Sequence, residues 1–177
     1  NDLIGEQAGV YGIVIQRPGE QPDFSINADA PFLAASLYKL VLIADVYAKI
    51  ETGEIAADAE LDLLPEYFPG VDEPADSYFD TETAPATVPV SEALFATGAY
   101  SSNVAAHALL ALTDESSLLA TAQEIGMTNT YFYVDPRELP GWPPTETAGM
   151  DAPSLEEAVT FAEAQAEEGP LMLTTPR

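Results

Sequence analysis

A serine and a lysine stand three positions apart near the start of the longest apolar stretch of the sequence. The stretch is PFLAASLYKLVLIADVYAKIETGE, residues 31–54, and the pair is Ser36 and Lys39. If a helix begins near Ala35, the two side chains are neighbours on its surface. A serine hydroxyl is a weak nucleophile that needs a base, and a lysine becomes one when burial and positive neighbours lower its pKa. A helix N-terminus would also favour negative charge on the serine oxygen or on an acyl oxyanion.

The same pair has an ordinary structural explanation. Ser36 could cap the N-terminus of the helix, while Lys39 lays its aliphatic stem along the protein and holds its ammonium group in solvent. The pattern S-x-x-K is short and degenerate, so it arises often by chance. The pair alone therefore leaves both interpretations open.

Two later segments also carry polar residues in suggestive positions. In ATGAYSSNVAAHALL, residues 96–110, the triplet Ser101, Ser102 and Asn103 opens a helix of small residues. Serine and asparagine are also ordinary helix-start residues, so capping is the alternative. The segment EIGMTNTYF, residues 124–132, precedes a proline-rich loop that contains Asp135 and Glu138.

Strands at the start of the chain and helices after it must position these residues. GVYGIVIQRPG, residues 9–19, and DFSINADAPF, residues 23–32, predict an antiparallel hairpin. Leu33–Thr52 has helical periodicity, with Gly53 as its stop. Residues 62–90 hold five of the fifteen prolines, so we expect mostly loop there. Further helices are predicted at about 91–97, from 102 or 103 to 113, at 115–125, and from a capping box at Ser154 and Glu157 to about 168.

Composition excludes several classes of function. The 177 residues are 47% hydrophobic, enough for one large domain or two small ones with a real core. Thirty acidic residues against five basic ones give a formal charge of -25, which disfavours binding to nucleic acid and to anionic membranes. Without cysteine there are no disulfides, thiolate metal sites or cysteine nucleophiles. No stretch approaches the ~20 apolar residues of a membrane span.

The N-terminal segment and the most acidic stretch bear on location and on ion binding. No signal peptide is recognisable, so we expect either a cytosolic protein or a mature, processed one. The acid is densest in VDEPADSYFDTE, residues 71–82, and the simplest interpretation of this acidic patch is a solvated loop. Its spacing does not fit a calcium-binding loop.

Taken in order, these segments resemble the class A β-lactamase and penicillin-binding serine hydrolase superfamily. AASLYK matches the S-x-x-K element, and YSSNVAAHALL resembles the S-D-N element with Ser102 in place of the aspartate. IGMTNT resembles the segment before the Ω-loop, and FSINADAPFLAAS the second strand and the approach to the nucleophile. The resemblance covers roughly residues 9–155. It implies an α+β fold, a helical subdomain with an antiparallel sheet of which only the first two strands are expected in this chain.

The resemblance implies a role for each matching residue. Ser36 is expected to be the acyl-accepting nucleophile, with its backbone N–H in the oxyanion hole, and Lys39 its base or proton relay. Ser101 is expected to pass a proton to the leaving nitrogen, and Asn103 to hold the amide side chain of the substrate. Tyr100 is expected to border the cleft.

The resemblance also implies a substrate class and a compartment. The substrate is expected to be a β-lactam or the D-alanyl peptide that β-lactams mimic, and no metal or organic cofactor is implied. We expect a mature enzyme that is secreted, periplasmic or part of the cell envelope, with a role in antibiotic resistance.

The Ω-loop departs from the family pattern. A class A β-lactamase uses a glutamate there to activate the deacylating water. Glu138 is the nearest candidate and Asp135 the fallback, although the local sequence DPRELPGW does not match Glu-Pro-x-Leu-Asn. If neither acts, an acyl-enzyme would form and persist, as in penicillin-binding proteins, and Glu138 would be a solvated loop acid.

The K-T-G element of the family does not occur in these 177 residues. Both DAPSLEEA and LTTPR resemble the opening of the helix after the Ω-loop, and the sequence does not decide between them. We expect residues 1–177 to be the N-terminal and helical part of a single domain that a later segment or a second chain completes. The leading function is an acyl-serine β-lactam hydrolase. The alternatives are a penicillin-binding or peptidase-like enzyme and a catalytically silent binding protein of the same fold.

Overall fold

A computed structural model describes residues 9–70, 73–132, 147–148, 156, 159–160, 163 and 172–176. The chain divides into two compact units. One unit is Ser36–Gly126, and the other combines Asn1–Ala35 with Met127–Arg177. Ser36, Lys39, Ser101 and Asn103, the predicted S-x-x-K and S-x-N residues, all belong to the unit Ser36–Gly126.

The unit Ser36–Gly126 is mainly helical. Its helices are α1 (Tyr38–Glu51), α2 (Val90–Tyr100), α3 (Asn103–Leu110) and α4 (Glu115–Glu124). Helix α1 packs against the other three, and α2 also packs against α3. The largest fully buried apolar side chains of the unit come from all four helices and from one short strand, and they are Val41, Leu42, Val46, Val88, Val90, Val104, Leu109 and Leu118. The unit therefore has its own hydrophobic core, which α1 crosses.

Helix α1 begins later than its periodicity suggests. A 3₁₀ turn, Ala35–Leu37, precedes it, and residues 32–33 form a strand. At the other end the chain leaves the helix after Thr52, and Gly53 takes φ +77°, a left-handed conformation that suits glycine. The predicted glycine stop is confirmed, as are the predicted helices that α2, α3 and α4 represent, within a few residues at their ends.

The proline-rich stretch 62–90 contains more regular structure than expected. Strands β5 (Glu60–Asp62) and β6 (Thr87–Pro89) pair antiparallel with Leu61 opposite Val88, and both of these side chains are buried. A 3₁₀ turn, Pro65–Tyr67, lies between them. The expectation of mostly loop is confirmed for the described residues of this stretch. The two strands were not predicted, because three residues are too few to show the alternation that indicates a strand.

The other unit contains antiparallel sheets. The predicted hairpin is confirmed: β2 (Ile13–Ile15) pairs with β3 (Phe24–Ile26), with Ile13 opposite Ile26. A three-stranded sheet has β9 (Met172–Thr174) at its centre, between β4 (Phe32–Leu33) and β7 (Thr130–Phe132). Strand β1 (Gly9–Val10) pairs antiparallel with β8 (Thr147–Ala148). Mixed helix and antiparallel sheet confirm the α+β class, and the sequence did not predict the three-stranded sheet.

Several sequence predictions fall outside the described residues. The proline-rich loop with Asp135 and Glu138 is one of them. Of the helix predicted from Ser154 to about 168, only residues 156, 159–160 and 163 are described, and these are helical. In LTTPR, residues 173–174 belong to strand β9 and residues 175–176 are irregular. In the described ranges no helix is long and apolar enough to cross a membrane.

Candidate active site

Lys39 points into the helical unit. It lies in the first turn of α1, and only 3% of the residue is exposed. The N-cap of α1 is Leu37, and no side chain caps that end of the helix. Ser36 is therefore not a capping residue and Lys39 does not reach solvent, so the structural explanation of the S-x-x-K pair is wrong.

The Lys39 ammonium group meets the Ser-Ser-Asn triplet. Lys39 Nζ donates to the carbonyl oxygen of Ser101 at 2.5 Å and to Asn103 Oδ1 at 2.6 Å, and it lies 3.1 Å from Ser101 Oγ. These contacts join residues more than sixty positions apart in sequence. The structure thus brings together three of the residues that the two motifs predict.

The chemistry of these three oxygens matters for proton transfer. The Ser101 carbonyl and Asn103 Oδ1 can only accept hydrogen bonds, whereas the Ser101 hydroxyl can donate as well as accept. A charged ammonium can donate to all three oxygens. A neutral amine can donate to the two carbonyl-type oxygens and accept from the Ser101 hydroxyl. The arrangement therefore suits Lys39 both before and after it gives up a proton.

Both motifs sit on unusual backbone. Ala35, directly before Ser36, has φ 45°, and Ser101 has φ 57°. Residues other than glycine rarely adopt positive φ, which costs about 1–3 kcal/mol, and such strain clusters at functional sites. At Ser101 the left-handed residue ends α2, and its N–H donates to the carbonyl of Thr97 at 3.1 Å. Ser36 itself lies in the 3₁₀ turn and is exposed.

Of the three triplet residues, Ser102 is the one that caps the N-terminus of α3. Ser102 is the N-cap of α3 and is completely buried. Its Oγ accepts from the N–H of Ala105 at 3.0 Å and donates to Asp76 Oδ1 at 2.8 Å. The hydroxyl of Ser101 and the amide of Asn103 remain directed at Lys39. The capping interpretation of the triplet therefore holds for its middle residue.

Asp76 is a residue that the sequence did not single out. It lies in the acidic patch, yet its carboxylate is partly buried and accepts hydrogen bonds from five groups. Burial by itself would raise the pKa of Asp76, but bonds from the N–H groups of Phe79 and Tyr78 and from the Ser102 hydroxyl outweigh it and lower the pKa. The interpretation of this patch as a merely solvated loop is wrong at Asp76. A single aspartate in a loop gives no sign of a partner 26 positions away.

Tyr100 belongs to an exposed aromatic cluster beside the triplet. Its ring lies 5.1 Å from that of Tyr78 and 5.7 Å from that of Phe95, measured between centroids. Tyr100 is 49% exposed, and its carbonyl accepts from Ser77 Oγ at 2.6 Å. The ring next to Ser101 thus packs against two other aromatic rings, while about half of the residue remains exposed.

A second buried charge network lies elsewhere in the unit. The carboxylate of Asp45, on α1, pairs with Lys49 at 3.1 Å and accepts from three hydroxyls, those of Thr113, Ser117 and Thr121. Burial would raise the pKa of Asp45, but the three hydroxyls and Lys49 lower it. Its hydroxyl partners lie on α4 and on the segment just before α4, so the carboxylate joins α1 to that part of the unit, which indicates a structural role. Across the described ranges no cluster of three or more histidine and carboxylate side chains could hold a metal ion.

A family model and several solved structures match this chain. A model of the β-lactamase enzyme family matches residues 1–176. A search of curated proteins returned no significant match. Among solved structures, a β-lactamase from Sphaerobacter thermophilus is 20% identical, with 90% of this chain and 49% of that chain covered and a TM-score of 0.57.

Two other solved structures have similar folds. A variant of the class A β-lactamase of the last common ancestor of Gram-negative bacteria is 25% identical over 86% of this chain and 47% of its own, with a TM-score of 0.55. PBP-A is 15% identical over 87% of this chain and 46% of its own, with a TM-score of 0.54. The chain spans about half the length of these structures. Because the family model matches all but the last residue, and the folds agree, the chain belongs to the β-lactamase enzyme family.

Proposed function

We propose that this chain is a serine hydrolase in which Ser36 is acylated by a β-lactam. The observation that carries the proposal is the position of Lys39, which is buried and bound to both Ser101 and Asn103. The contacts of Lys39, three residues after an exposed serine, to a hydroxyl, a carbonyl and an amide support a role for this lysine in proton exchange. Family membership supports the same reaction class.

In the proposed acylation, Ser36 Oγ attacks the carbonyl carbon of the lactam amide and its proton passes to the Lys39 amine. The helix N-terminus, with the Ser36 N–H, favours the negative charge that develops on the oxygens. Lys39 returns a proton through the Ser101 hydroxyl, 3.1 Å from Nζ, to the lactam nitrogen. The C–N bond breaks, and the acyl group remains as an ester on Ser36.

Asn103 and Tyr100 are proposed to bind the substrate. The Asn103 side chain accepts from Lys39 through Oδ1, so its NH₂ group is left to donate to the amide side chain of a β-lactam. Tyr100 offers an exposed ring next to Ser101 against which an apolar substituent can pack.

Deacylation needs a second activated nucleophile. We propose that Glu138, with Asp135 as the alternative, accepts a proton from a water that attacks the ester and frees Ser36. If neither carboxylate does so, the acyl-enzyme persists and the protein acts as a penicillin-binding protein. A D-alanyl peptide would then be the natural substrate.

The remaining features of the proposal concern the whole protein. A mature enzyme that is secreted, periplasmic or bound to the cell envelope fits a β-lactam or cell-wall substrate. Because the chain spans about half of its structural neighbours, we propose that a further segment or a second chain supplies the strand opposite Ser36. Intact-mass measurement of the native protein tests this: a folded, monomeric species of 18.8 kDa would contradict it.

A chromogenic β-lactam separates the three candidate functions. Wild-type protein is expected to turn over the substrate, and Ser36→Ala to lower the rate by about 10³-fold or more. Ser91→Ala, at an exposed serine of α2, is the matched control and should retain the wild-type rate. A stoichiometric burst without turnover would indicate the penicillin-binding function. No turnover and no labelling of Ser36 at all would indicate a silent binding protein.

A further inference from the structure

The carboxylate of Asp76 holds the turn that joins α2 to α3. Asp76 Oδ2 accepts from the N–H of Asn103 at 2.8 Å and of Val104 at 3.2 Å, and Oδ1 accepts from Ser102 Oγ at 2.8 Å. The same carboxylate is itself fixed, because Oδ1 also accepts from the N–H groups of Tyr78 and Phe79 at 3.0 and 2.9 Å. One side chain thus ties the loop before β6 to the start of α3.

This contact completes the N-terminus of α3. The first N–H groups of a helix have no partner within it. Asp76 accepts from those of Asn103 and Val104, and Ser102 Oγ accepts from that of Ala105. A negative charge at this end also interacts favourably with the helix dipole. The serine in the middle of the triplet therefore works together with a carboxylate from another part of the chain.

The residues on either side of Ser102 are the ones that bind Lys39. Ser101 and Asn103 place three oxygens around Lys39 Nζ, and Ser101 does so from a strained backbone conformation with φ 57°. A strained turn persists only where its surroundings hold it. Asp76 binds Ser102 and Asn103, the two residues that directly follow the strained Ser101. Its contacts therefore hold the same turn.

Resting on the proposed function, we propose that Asp76 is a positioning residue of the active site, which fixes the Ser101–Val104 turn so that the Ser101 hydroxyl and the Asn103 amide meet Lys39. The hydrogen bonds of Asp76 go to the N–H groups of residues 78, 79, 103 and 104 and to the Ser102 hydroxyl. Asp76 acts on Lys39 through the triplet. The middle residue of the triplet is a serine, and Asp76, 26 positions earlier in the chain, supplies a carboxylate that binds it.

Acylation of lysines with acetic anhydride, read by mass spectrometry, tests this without depending on enzyme activity. The chain has two lysines, Lys39 and Lys49, so each reports independently. Asp76→Asn is expected to raise the reactivity of Lys39 about tenfold, because an amide keeps only one of the two acceptor oxygens and loses the charge that the five donors bind. Lys49, which pairs with Asp45, should stay within about twofold of its wild-type reactivity.

Asp114→Asn is the matched control. Asp114 is the N-cap of α4 and accepts from the N–H of Ser117 at 2.9 Å, but it lies at a different helix from the triplet. Its loss should leave Lys39 as protected as in wild type. Unchanged Lys39 reactivity in Asp76→Asn would overturn the proposal. So would equal increases at Lys39 and Lys49, since they would indicate general loosening of the unit.

A rescue variant tests the positioning role of Asp76 even if Asp76→Asn does not fold. In Asp76→Ala with Ser102→Asp, the carboxylate is moved into the triplet itself. Protection of Lys39 equal to wild type in this double variant supports the positioning role, and an exposed Lys39 in a folded double variant overturns it.

The enzymatic arm separates this inference from the proposed function. If wild type is acylated by a β-lactam, Asp76→Asn should lower the acylation rate at saturating substrate about tenfold, because small displacements of catalytic groups are costly. Asp114→Asn should match wild type. If wild type is not acylated at all, the proposed function fails, while the reactivity of Lys39 still decides the role of Asp76.

Discussion

At the residue scale, Ser101 combines a polar contact with a strained backbone. Its hydroxyl and its carbonyl both meet Lys39, and its positive φ ends α2 and turns the chain toward α3. A glycine would adopt this backbone more readily, but it would remove the hydroxyl. The presence of a serine is understandable if the hydroxyl has a function that outweighs the strain.

Paired substitutions separate these two properties. Ser101→Gly and Ser101→Ala both remove the hydroxyl, and both should abolish acylation. In thermal or urea unfolding, Ser101→Gly should be more stable than Ser101→Ala by about 1 kcal/mol, because only glycine accepts φ 57° without strain.

The matched comparison is Ser91→Gly against Ser91→Ala. Ser91 lies within α2 and is exposed, so alanine is expected to be the more stable there. An Ser101→Ala variant as stable as Ser101→Gly would show that the positive φ of Ser101 carries no strain.

The chemistry at this scale was partly readable in the sequence. Ser36 and Lys39 stand at a spacing that makes them neighbours on a helix, whereas only the resemblance to a family implied that Ser101 and Asn103 share their site. The structure brings Lys39, Ser101 and Asn103 together. Asp76 was not predictable, because its partner lies across a loop and no spacing rule connects them. The side chain of Glu138 lies outside the described residues, so its role in deacylation stays a prediction.

At the element scale, a buried carboxylate joins α1 to α4 and to the segment between α3 and α4. Asp45 is 3% exposed, and it accepts from Ser117 and Thr121 on α4 and from Thr113 before it. Lys49, one turn later on α1, also donates to the carbonyl of Leu112 at 2.9 Å. Removing a buried carboxylate leaves these donors without their acceptor, which is more costly than the loss of one hydrogen bond.

Asp45→Asn should therefore lower the free energy of unfolding by about 2 kcal/mol at pH 7. The pKa of Asp45 is lowered in the folded protein, so its ionised form contributes stability above the unfolded pKa of about 3.9. That contribution is lost as the pH falls from about 4 through the lower folded pKa. The difference between wild type and Asp45→Asn should shrink over the same range.

Chemical unfolding at several pH values measures this difference. Asp58→Asn, at an exposed carboxyl in the turn before β5, is the control and should stay within about 0.5 kcal/mol of wild type at each pH. A gap between wild type and Asp45→Asn that does not narrow below pH 4 would rule out the ionised carboxylate as its source.

Helices were easier to predict than strands for a physical reason. The stretches that became α1 and α4 are at least ten residues long, with apolar residues at helical spacing and a glycine close after their ends. Strands β4 and β9 have two and three residues, and their pairing joins segments far apart in sequence. Such pairing depends on the packing of the whole unit, which no local pattern reveals.

At the scale of the whole molecule, negative charge dominates. Thirty acidic residues and five basic ones give -25, and this charge repels itself in the folded state more than in the extended one. Added salt screens such repulsion, since the Debye length falls from about 30 Å at 0.01 M to about 3 Å at 1 M.

The melting temperature at pH 7 should therefore rise between 0.01 and 1 M NaCl. Near the pI of about 4.1 the net charge vanishes, and the same addition of salt should change the melting temperature much less. Differential scanning calorimetry at the two pH values makes the comparison. Equal salt effects at both would attribute the stabilisation to something other than net charge.

Family membership also belongs to this scale. The family model spans residues 1–176, while the solved structures of similar fold are about twice as long as this chain. The motifs around Ser36 and Ser101 were sufficient to indicate the family, because each carries a chemical requirement at a fixed spacing. The walls of the cleft and the choice of substrate depend on longer-range packing, which short motifs do not encode.

The most direct measurement of the central claim is the position of a covalent acyl group. The protein is mixed with a β-lactam, quenched in acid, and digested for peptide mapping by mass spectrometry. One adduct with the mass of the β-lactam is expected, on Ser36, and it should be absent from Ser36→Ala. No adduct at any quench time, or an adduct that persists in Ser36→Ala, would contradict the account.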